Sequence, residues 1–137
     1  MRENLNLAII EENSNHLGYL HDKLKDFVPQ ITCYSNAEEA MLKMTSNMPD
    51  VLVMDLDMPK LNGIRVCDLL RDDPRFKDLP IVLVSGRESI GDFNLYFKGI
   101  DFVKKPVVGT ELFNKIRLYN NLHNAYLKVV SMYREGS

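Results

Sequence analysis

The sequence predicts a doubly wound α/β fold, in which a five-stranded parallel sheet carries helices on both faces and the last helix is extended. Two observations predict this fold. Short apolar segments alternate with amphipathic segments along the chain, which is typical of parallel sheets built from strand–helix–strand units. Prolines such as Pro29, Pro49 and Pro74 separate the segments, and proline ends or interrupts regular structure. The length of 137 residues suits a single domain.

In the first half of the chain, two predicted helices connect three predicted strands. Residues 5–10, 30–34 and 51–54 are short apolar runs, typical of strands buried on both faces. Ser14 or Asn15 can cap the first helix. The apolar positions of each helix recur at helical spacing, which places them on one face. They are Leu17, Leu20, Leu24 and Phe27 in the first helix, and Ala37, Ala40, Met41 and Met44 in the second.

The second half of the chain continues the alternation. Ile64, Cys67 and Leu70 mark one face of a third helix. Residues 80–84 predict the fourth strand and residues 100–103 the fifth, because both runs are apolar and short. Between these two strands we expect a fourth, weakly patterned helix with the apolar residues Ile90, Phe93 and Phe97.

The last predicted helix is longer than the sheet requires. It begins near Thr110 and meets no breaker before Gly136, so it spans about 25 residues or roughly 37 Å. Its apolar positions keep a heptad-like spacing to the end. They are Ile116, Tyr119, His123, Tyr126, Val130 and Tyr133, with Leu118, Leu122 and Val129 beside them. We therefore expect one domain over residues 1–120 and a helical linker or dimerisation stalk over residues 121–137, the alternative being a frayed tail.

Composition and charge exclude several functional classes. Lys and Arg total 17 and Asp and Glu total 19, so no basic excess indicates direct binding to nucleic acid or to an anionic membrane. No apolar run approaches the ~20 residues of a membrane span. Cys33 and Cys67 form no zinc motif, and His16, His21 and His123 lack the spacing of metal ligands. We expect a protein of the reducing cytoplasm, with these histidines at its surface or boundary.

Polar side chains stand where four of the predicted strands end. Glu11 and Glu12 follow the first strand, Asp55 the third, Ser85 the fourth and Lys105 the fifth. In a doubly wound parallel sheet, ligands bind beyond the carboxyl ends of the strands. The sequence therefore predicts that these side chains share one site.

The residue types of this predicted site suit phosphoryl transfer. Carboxylates of Glu11, Glu12 and Asp55 repel one another by about 4 kcal/mol per pair at ~4 Å and an effective dielectric near 20, so the cluster requires a cation. Oxygen ligands indicate a hard ion, Mg²⁺ or Mn²⁺. Asp55 would then accept the phosphoryl group as an acyl phosphate. The cation and Lys105 would offset the developing charge, and Ser85 would donate to a phosphoryl oxygen.

From residue 5 to about residue 120, the element order and these residues resemble the receiver domain of bacterial two-component response regulators. The matching motifs are Glu11-Glu12, the segment DLDMPKLNG at 55–63, Ser85-Gly86 and Lys105-Pro106. The resemblance implies the flavodoxin-like strand order 2-1-3-4-5 and a cis Lys105–Pro106 bond.

The resemblance also implies a role for each site residue. Asp55 would be the phosphoacceptor, assisted by Ser85 and Lys105, and Phe102 would switch together with Ser85. The Mg²⁺ (or Mn²⁺) ion would be bound by Glu11, Glu12, Asp55 and the backbone carbonyl of Asp57. The lifetime of the phosphoryl group would be set by Asp57 and Arg87. The only chemistry expected is self-phosphorylation and autodephosphorylation at Asp55, so we do not expect an enzyme.

The partners implied by the resemblance are signalling proteins. A histidine kinase or phosphotransfer protein would supply the phosphoryl group. Phosphorylation would change the face made by the fourth helix, the fifth strand and the last helix. That face or the extended helix would support a homodimer, and an output domain or partner would receive the signal.

Glu12 departs from the family pattern, which usually has Asp at this position. The additional methylene moves the carboxylate by more than ~1 Å, and hard-ion geometry is demanding. This departure supports one alternative, a pseudo-receiver that acts as an unphosphorylated protein-interaction module. A second alternative is a haloacid-dehalogenase-like phosphatase, whose nucleophile motif is similar to Asp55-Leu56-Asp57. That family places its acidic pair after the motif and adds a cap domain, and neither feature is found in this sequence.

Overall fold

The computed structural model of the chain describes residues 4–58, 63–86 and 99–135. The strands in these ranges are β1 (Asn6–Ile10), β2 (Gln30–Tyr34), β3 (Val51–Asp55), β4 (Ile81–Ser85) and β5 (Ile100–Lys104). The helices are α1 (Ser14–Leu24), α2 (Ala37–Met44), α3 (Gly63–Asp72) and α4 (Gly109–Glu135). The predicted helix around Ile90, Phe93 and Phe97, and the predicted site residue Arg87, lie outside the described residues.

The five strands form one parallel sheet in the order β2-β1-β3-β4-β5. The predicted fold class and strand order are therefore confirmed. The register pairs Asp55 with Val84 and Ser85 with Lys104. Because the strands run in the same direction, the residues that follow β1, β3, β4 and β5 all meet at one edge of the sheet.

Two apolar cores lie on opposite faces of the sheet. Successive residues of a strand point to opposite faces, so Ile10 and Met54 pack with Met44 of α2 and Leu70 of α3 on one side. The other face packs against α1 and α4, through residues that include Ile9, Val53, Leu20, Leu24, Leu112 and Ile116. Every residue of β3 and β4 is buried, which explains why these strands are continuous apolar runs in the sequence.

The N-cap of helix α1 lies one or two residues earlier than predicted. The N-cap is Asn13, whose side-chain oxygen accepts hydrogen bonds from the backbone N–H groups of Asn15 (3.0 Å) and His16 (3.1 Å). The prediction of Ser14 or Asn15 was wrong because neighbouring residues all have capping side chains, and only the backbone decides which one precedes the first turn. The position of the cap determines which side chains of the first helical turn face the carboxyl edge of the sheet, and His16 is one of them.

Helix α4 extends well past the sheet. It has 27 residues, or about 40 Å, and its buried residues Leu112, Phe113 and Ile116 all lie in its first turns. The later apolar side chains are mostly exposed, among them Leu118, Leu122, Tyr126, Leu127, Val129, Met132 and Tyr133. Over the described residues, no helix combines the length and the apolar character needed to cross a membrane.

Gly63 is required by a close backbone approach, and its replacement tests the packing beside Asp55. A Cβ atom at Gly63 would lie 2.8 Å from the Cα of Leu56 and 3.0 Å from the carbonyl oxygen of Asp55. We expect Gly63→Ala to lower the free energy of unfolding by roughly 1–3 kcal/mol, since backbone must move to accept the methyl group. Urea unfolding measures this change.

Gly18→Ala is the matched control. Gly18 lies inside α1, and a methyl group added there would meet no atom of the described residues within 4 Å. Alanine should therefore raise the free energy of unfolding by about 0.5–1 kcal/mol through its higher helix propensity. If the two variants shifted stability in the same direction, the steric explanation for Gly63 would fail.

Candidate functional site

The carboxyl edge of the sheet brings together Glu11, Asp55 and Lys105. The carboxylates of Glu11 and Asp55 are buried, each in a residue only 3% exposed. The Lys105 Nζ atom lies 2.6 Å from Asp55 Oδ2 and 3.9 Å from Asp57 Oδ2. Side chains that are separated by 50 positions in the sequence thus form a charged contact, because β3 and β5 end at the same edge.

Both oxygens of Asp55 are held in place. Oδ1 accepts a hydrogen bond from the backbone N–H of Asp57 at 2.7 Å, and Oδ2 accepts one from Lys105. The next carboxylate, Asp57, accepts the backbone N–H of Gly86 at 3.1 Å. Burial by itself raises the pKa of Asp55, but hydrogen bonds with Glu11, Lys105 and the Asp57 N–H outweigh it and bring the pKa below its ordinary value. Asp55 is therefore ionised at neutral pH.

Glu11 has the opposite electrostatic character. Its pKa is raised to about 7, mainly by burial and then by its proximity to Asp55. Oε1 accepts the backbone N–H of Asn13 at 3.0 Å, whereas Oε2 is buried and has no hydrogen-bond donor among the described residues. Two carboxylates can share a hydrogen bond only through a bound proton. The Glu11–Asp55 pair can therefore be stabilised either by a bound proton or by a cation.

His16 is a site residue that the sequence pattern did not predict. Its Nδ1 atom lies 3.4 Å from Asp55 Oδ2 and 3.7 Å from Glu11 Oε2, and ligand atoms of the three residues all lie within 4.8 Å of one another. The side chain is 46% exposed, as predicted for a surface or boundary residue, but it lies in a cluster of potential metal ligands that its spacing from His21 did not indicate. The sequence feature that could have indicated His16 is Asn13. An N-cap at Asn13 starts α1 soon after β1, and this start places His16 in the first turn, next to the site.

The other predicted site residues stand around this cluster. Glu12 is partly buried, and its carboxylate does not belong to the described group within 4.8 Å. Ser85 is fully buried at the end of β4, and its carbonyl accepts the Lys105 N–H at 2.8 Å. Phe102 is partly buried against the core on the α2–α3 face. Their roles as ligand, phosphoryl contact and switch stay predictions. The Lys105–Pro106 peptide bond is cis, as expected.

A second polar cluster connects β5 to α4. Asp101 is buried, accepts a hydrogen bond from the Tyr119 hydroxyl at 2.9 Å, and lies 3.3 Å from Lys115 Nζ. Lys115 also donates to the carbonyl oxygen of Phe102 at 2.9 Å. Periodicity places Tyr119 in the heptad-like apolar stripe of the last helix, and its hydroxyl donates a hydrogen bond to Asp101 of β5.

Comparison with known proteins agrees with this geometry. The family model described as "Response regulator receiver domain" matches residues 7–117. Protein RcaC of Microchaete diplosiphon is 33% identical over 112 residues, which are 80% of this chain and 17% of that protein. Response regulator PleD of Caulobacter vibrioides is 26% identical over 113 residues, covering 81% of this chain and 25% of that protein. The chain thus spans a quarter or less of the length of these two relatives.

Solved structures show the same fold. A sensor protein from Polaromonas sp. JS666 superposes with a TM-score of 0.80 at 22% identity and covers 88% of this chain and 99% of that one. The chemotaxis response regulator CheY4 of Vibrio cholerae gives 0.73 at 17% identity, with 85% and 99% covered. Because the family model spans most of the chain and the sheet edge carries the family's motifs, the chain belongs to the response regulator receiver domain family of two-component signalling.

Proposed function

We propose that this chain is a phospho-accepting receiver in which a histidine kinase or phosphotransfer protein phosphorylates Asp55. The observation that carries the proposal is the 2.6 Å contact between Lys105 Nζ and Asp55 Oδ2 inside a buried acidic pocket. This contact places an ionised nucleophile, Asp55, beside the positive charge of Lys105, which can offset the negative charge of the transferred phosphoryl group. Family membership supports the same activity.

The transfer requires little rearrangement of bonds. A carboxylate oxygen of Asp55 attacks the phosphorus of a phosphohistidine, so a P–O bond forms and the P–N bond breaks. The imidazole leaves and takes up a proton from solvent, and an acyl phosphate remains on Asp55. Lys105 offsets charge on the phosphoryl oxygens, and the Ser85 hydroxyl donates to one of them. Water later hydrolyses the acyl phosphate, so the chemistry consists of self-phosphorylation and autodephosphorylation.

The donor set fits a divalent cation. Receiver domains typically bind Mg²⁺ at an acidic pocket, and Glu11 Oε2 here is a buried oxygen without a donor among the described residues. We assign the ligands of Mg²⁺ (or Mn²⁺) to Glu11, Glu12, Asp55 and the backbone carbonyl of Asp57. When bound, the cation supplies the positive charge that offsets carboxylate repulsion and stabilises phosphoryl oxygens.

Phosphorylation would change the structure of β5 and of the surface around it. On phosphorylation, Ser85 would approach the phosphoryl group and Phe102 would turn inward, which changes the face formed by the predicted fourth helix, β5 and α4. Asp57 and Arg87 would set the lifetime of the acyl phosphate. Output would then pass to a domain or partner beyond the receiver, and curated relatives that are several times longer than this chain support such an arrangement.

We further propose that residues 1–120 form the receiver and that residues 121–137 extend a dimerisation helix. Ile116 and Tyr119 of the predicted stripe are engaged within the domain. The exposed stripe lies beside it, with apolar residues at alternating spacings of four and three, which is the seam pattern of a coiled coil. Its members are Leu118, Leu122, Ala125, Val129 and Met132.

Phosphorylation of Asp55 can be read by intact-mass spectrometry. After incubation with Mg²⁺ and a small acyl-phosphate donor, the native chain should gain one phosphoryl group, because Asp55 is ionised and paired with Lys105. Asp55→Asn should gain none, and the exposed control Asp22→Asn should behave as the native chain. A native chain that gains no phosphoryl group would instead support the pseudo-receiver, the alternative that Glu12 favours.

Thermal or urea unfolding measures how much the buried Glu11–Asp55 pair lowers the free energy of unfolding. Without metal, Glu11→Gln should be more stable than the native chain by on the order of 2 kcal/mol at pH 8, because the amide can donate to Asp55. The folded-state pKa of Glu11 is raised to about 7, so the native chain loses stability as pH rises between its unfolded pKa and that value. The advantage of the variant should therefore shrink toward pH 5.

The same unfolding measurement is repeated with Mg²⁺ added. The ion should raise the unfolding temperature of the native chain and have a much smaller effect on Glu11→Gln, which has lost a charged ligand. An equal response of both proteins to Mg²⁺ would contradict the assignment of Glu11 as a ligand.

Self-association through α4 can be measured by sedimentation velocity. Leu122→Lys should shift the native chain toward monomer at a given concentration, because it places a charge in the apolar seam. Leu42→Lys is the matched control, since Leu42 is also an exposed leucine on a helix but lies on α2. A native chain that stays monomeric at high micromolar concentration would rule out the proposed seam.

A further inference from the structure

The imidazole of His16 is held at the mouth of the acidic pocket from two sides. Its backbone N–H donates to the Asn13 side chain, which fixes the first turn of α1. Its ring stacks against Tyr19 with 6.2 Å between centroids. The Tyr19 hydroxyl in turn donates to the carbonyl of Val107 at 3.2 Å. The ring is therefore positioned by contacts that do not depend on the carboxylates it faces.

The distances from His16 to the two carboxylates are slightly longer than those between neighbouring ligands of one ion. Neighbouring donor atoms of an octahedral ion, each ~2.1 Å from it and at a right angle, lie about 3.0 Å apart. Nδ1 of His16 lies 3.4 Å from Asp55 Oδ2 and 3.7 Å from Glu11 Oε2. Small side-chain rotations would therefore bring Nδ1 and a carboxylate oxygen onto one ion, and ligand atoms of His16, Glu11 and Asp55 all lie within 4.8 Å of one another.

Glu11 gives an independent indication that a ligand belongs between these atoms. Its Oε2 is in a residue 3% exposed and finds no hydrogen-bond donor in the described part of the chain. A buried carboxylate oxygen without a donor is costly. The same residue belongs to the group whose ligand atoms lie within 4.8 Å of one another, so a cation placed there satisfies it.

We propose that His16 Nδ1 is a ligand of the divalent cation in the receiver pocket and makes the pocket prefer Mn²⁺ to Mg²⁺. This inference rests on the proposed function, because it concerns the same cation. The physical reason is ligand type: Mg²⁺ selects oxygen ligands and dehydrates reluctantly, whereas imidazole nitrogen favours transition-metal ions. One nitrogen donor in an otherwise oxygen site therefore shifts the selectivity.

Coordination can be read directly on the whole chain loaded with Mn²⁺. Electron spin echo envelope modulation detects the ¹⁴N nucleus of an imidazole bound to Mn²⁺. The native chain should show this coupling, and His16→Gln should lose it. His21→Gln is the matched control, because His21 lies on the same helix with its ring beside Asp22 and should leave the coupling unchanged. Bound Mn²⁺ without nitrogen coupling in the native chain would overturn the proposal.

Selectivity is read by calorimetric titration with Mn²⁺ and with Mg²⁺. His16→Gln should weaken Mn²⁺ binding by at least about tenfold, the scale of one lost ligand interaction, and change Mg²⁺ binding by less than about twofold. Equal weakening for both ions would overturn the selectivity, and circular dichroism confirms that the variant is folded.

The failure of this inference is distinguishable from the failure of the proposed function. A native chain that takes up a phosphoryl group with either ion but shows no nitrogen coupling retains the receiver activity and loses the role of His16. A chain that shows the coupling but takes up no phosphoryl group retains the metal ligand and loses the phospho-accepting function.

Discussion

Two carboxyl groups buried side by side are the constraint on which the rest of this structure depends. β1 and β3 are neighbours in the sheet, so strand pairing holds Glu11 and Asp55, which stand at the ends of these strands, close together. The surrounding groups each reduce the resulting repulsion. Lys105 supplies a positive charge, the turn at Asp57 supplies an N–H donor, and the Asn13 backbone donates to Glu11. Among the described residues, one oxygen of Glu11 has no hydrogen-bond donor, and it is the oxygen to which the proposed function assigns the cation.

The sheet and the main charges of the site were predictable because they follow from short-range pattern and topology. Continuous apolar runs predicted the buried strands, and a polar residue at each strand end predicted the site, since parallel strands end at one edge. His16 was not predictable in the same way. Whether its ring faces the carboxylates depends on a one-residue choice of helix cap at Asn13, and Ser14 and Asn15 have similar capping side chains.

The contact of Asp101 with Tyr119 was unpredictable for a different reason. Periodicity assigned Tyr119 to the heptad-like apolar stripe of the last helix because its spacing fits that pattern. Its hydroxyl donates a hydrogen bond to Asp101, a buried aspartate on β5. The spacing of apolar residues along a helix cannot indicate such a polar partner. Farther along the helix, Tyr126 and Tyr133 of the predicted stripe are exposed, together with Leu122 and Val129.

The bond between Asp101 and Tyr119 also attaches α4 to the sheet near the point where the helix leaves the domain. From Tyr119 to the end of the helix at Glu135, the axis extends by roughly 24 Å, and most of its side chains there are exposed. On the proposed function, this part of α4 would move about its contact with β5, the strand that also leads to Lys105. By simple geometry on that length, a tilt of about 5° at this contact displaces the far end by about 2 Å. On the proposed function, a small tilt of α4 that follows phosphorylation of Asp55 would therefore be enough to change how two such helices pack together.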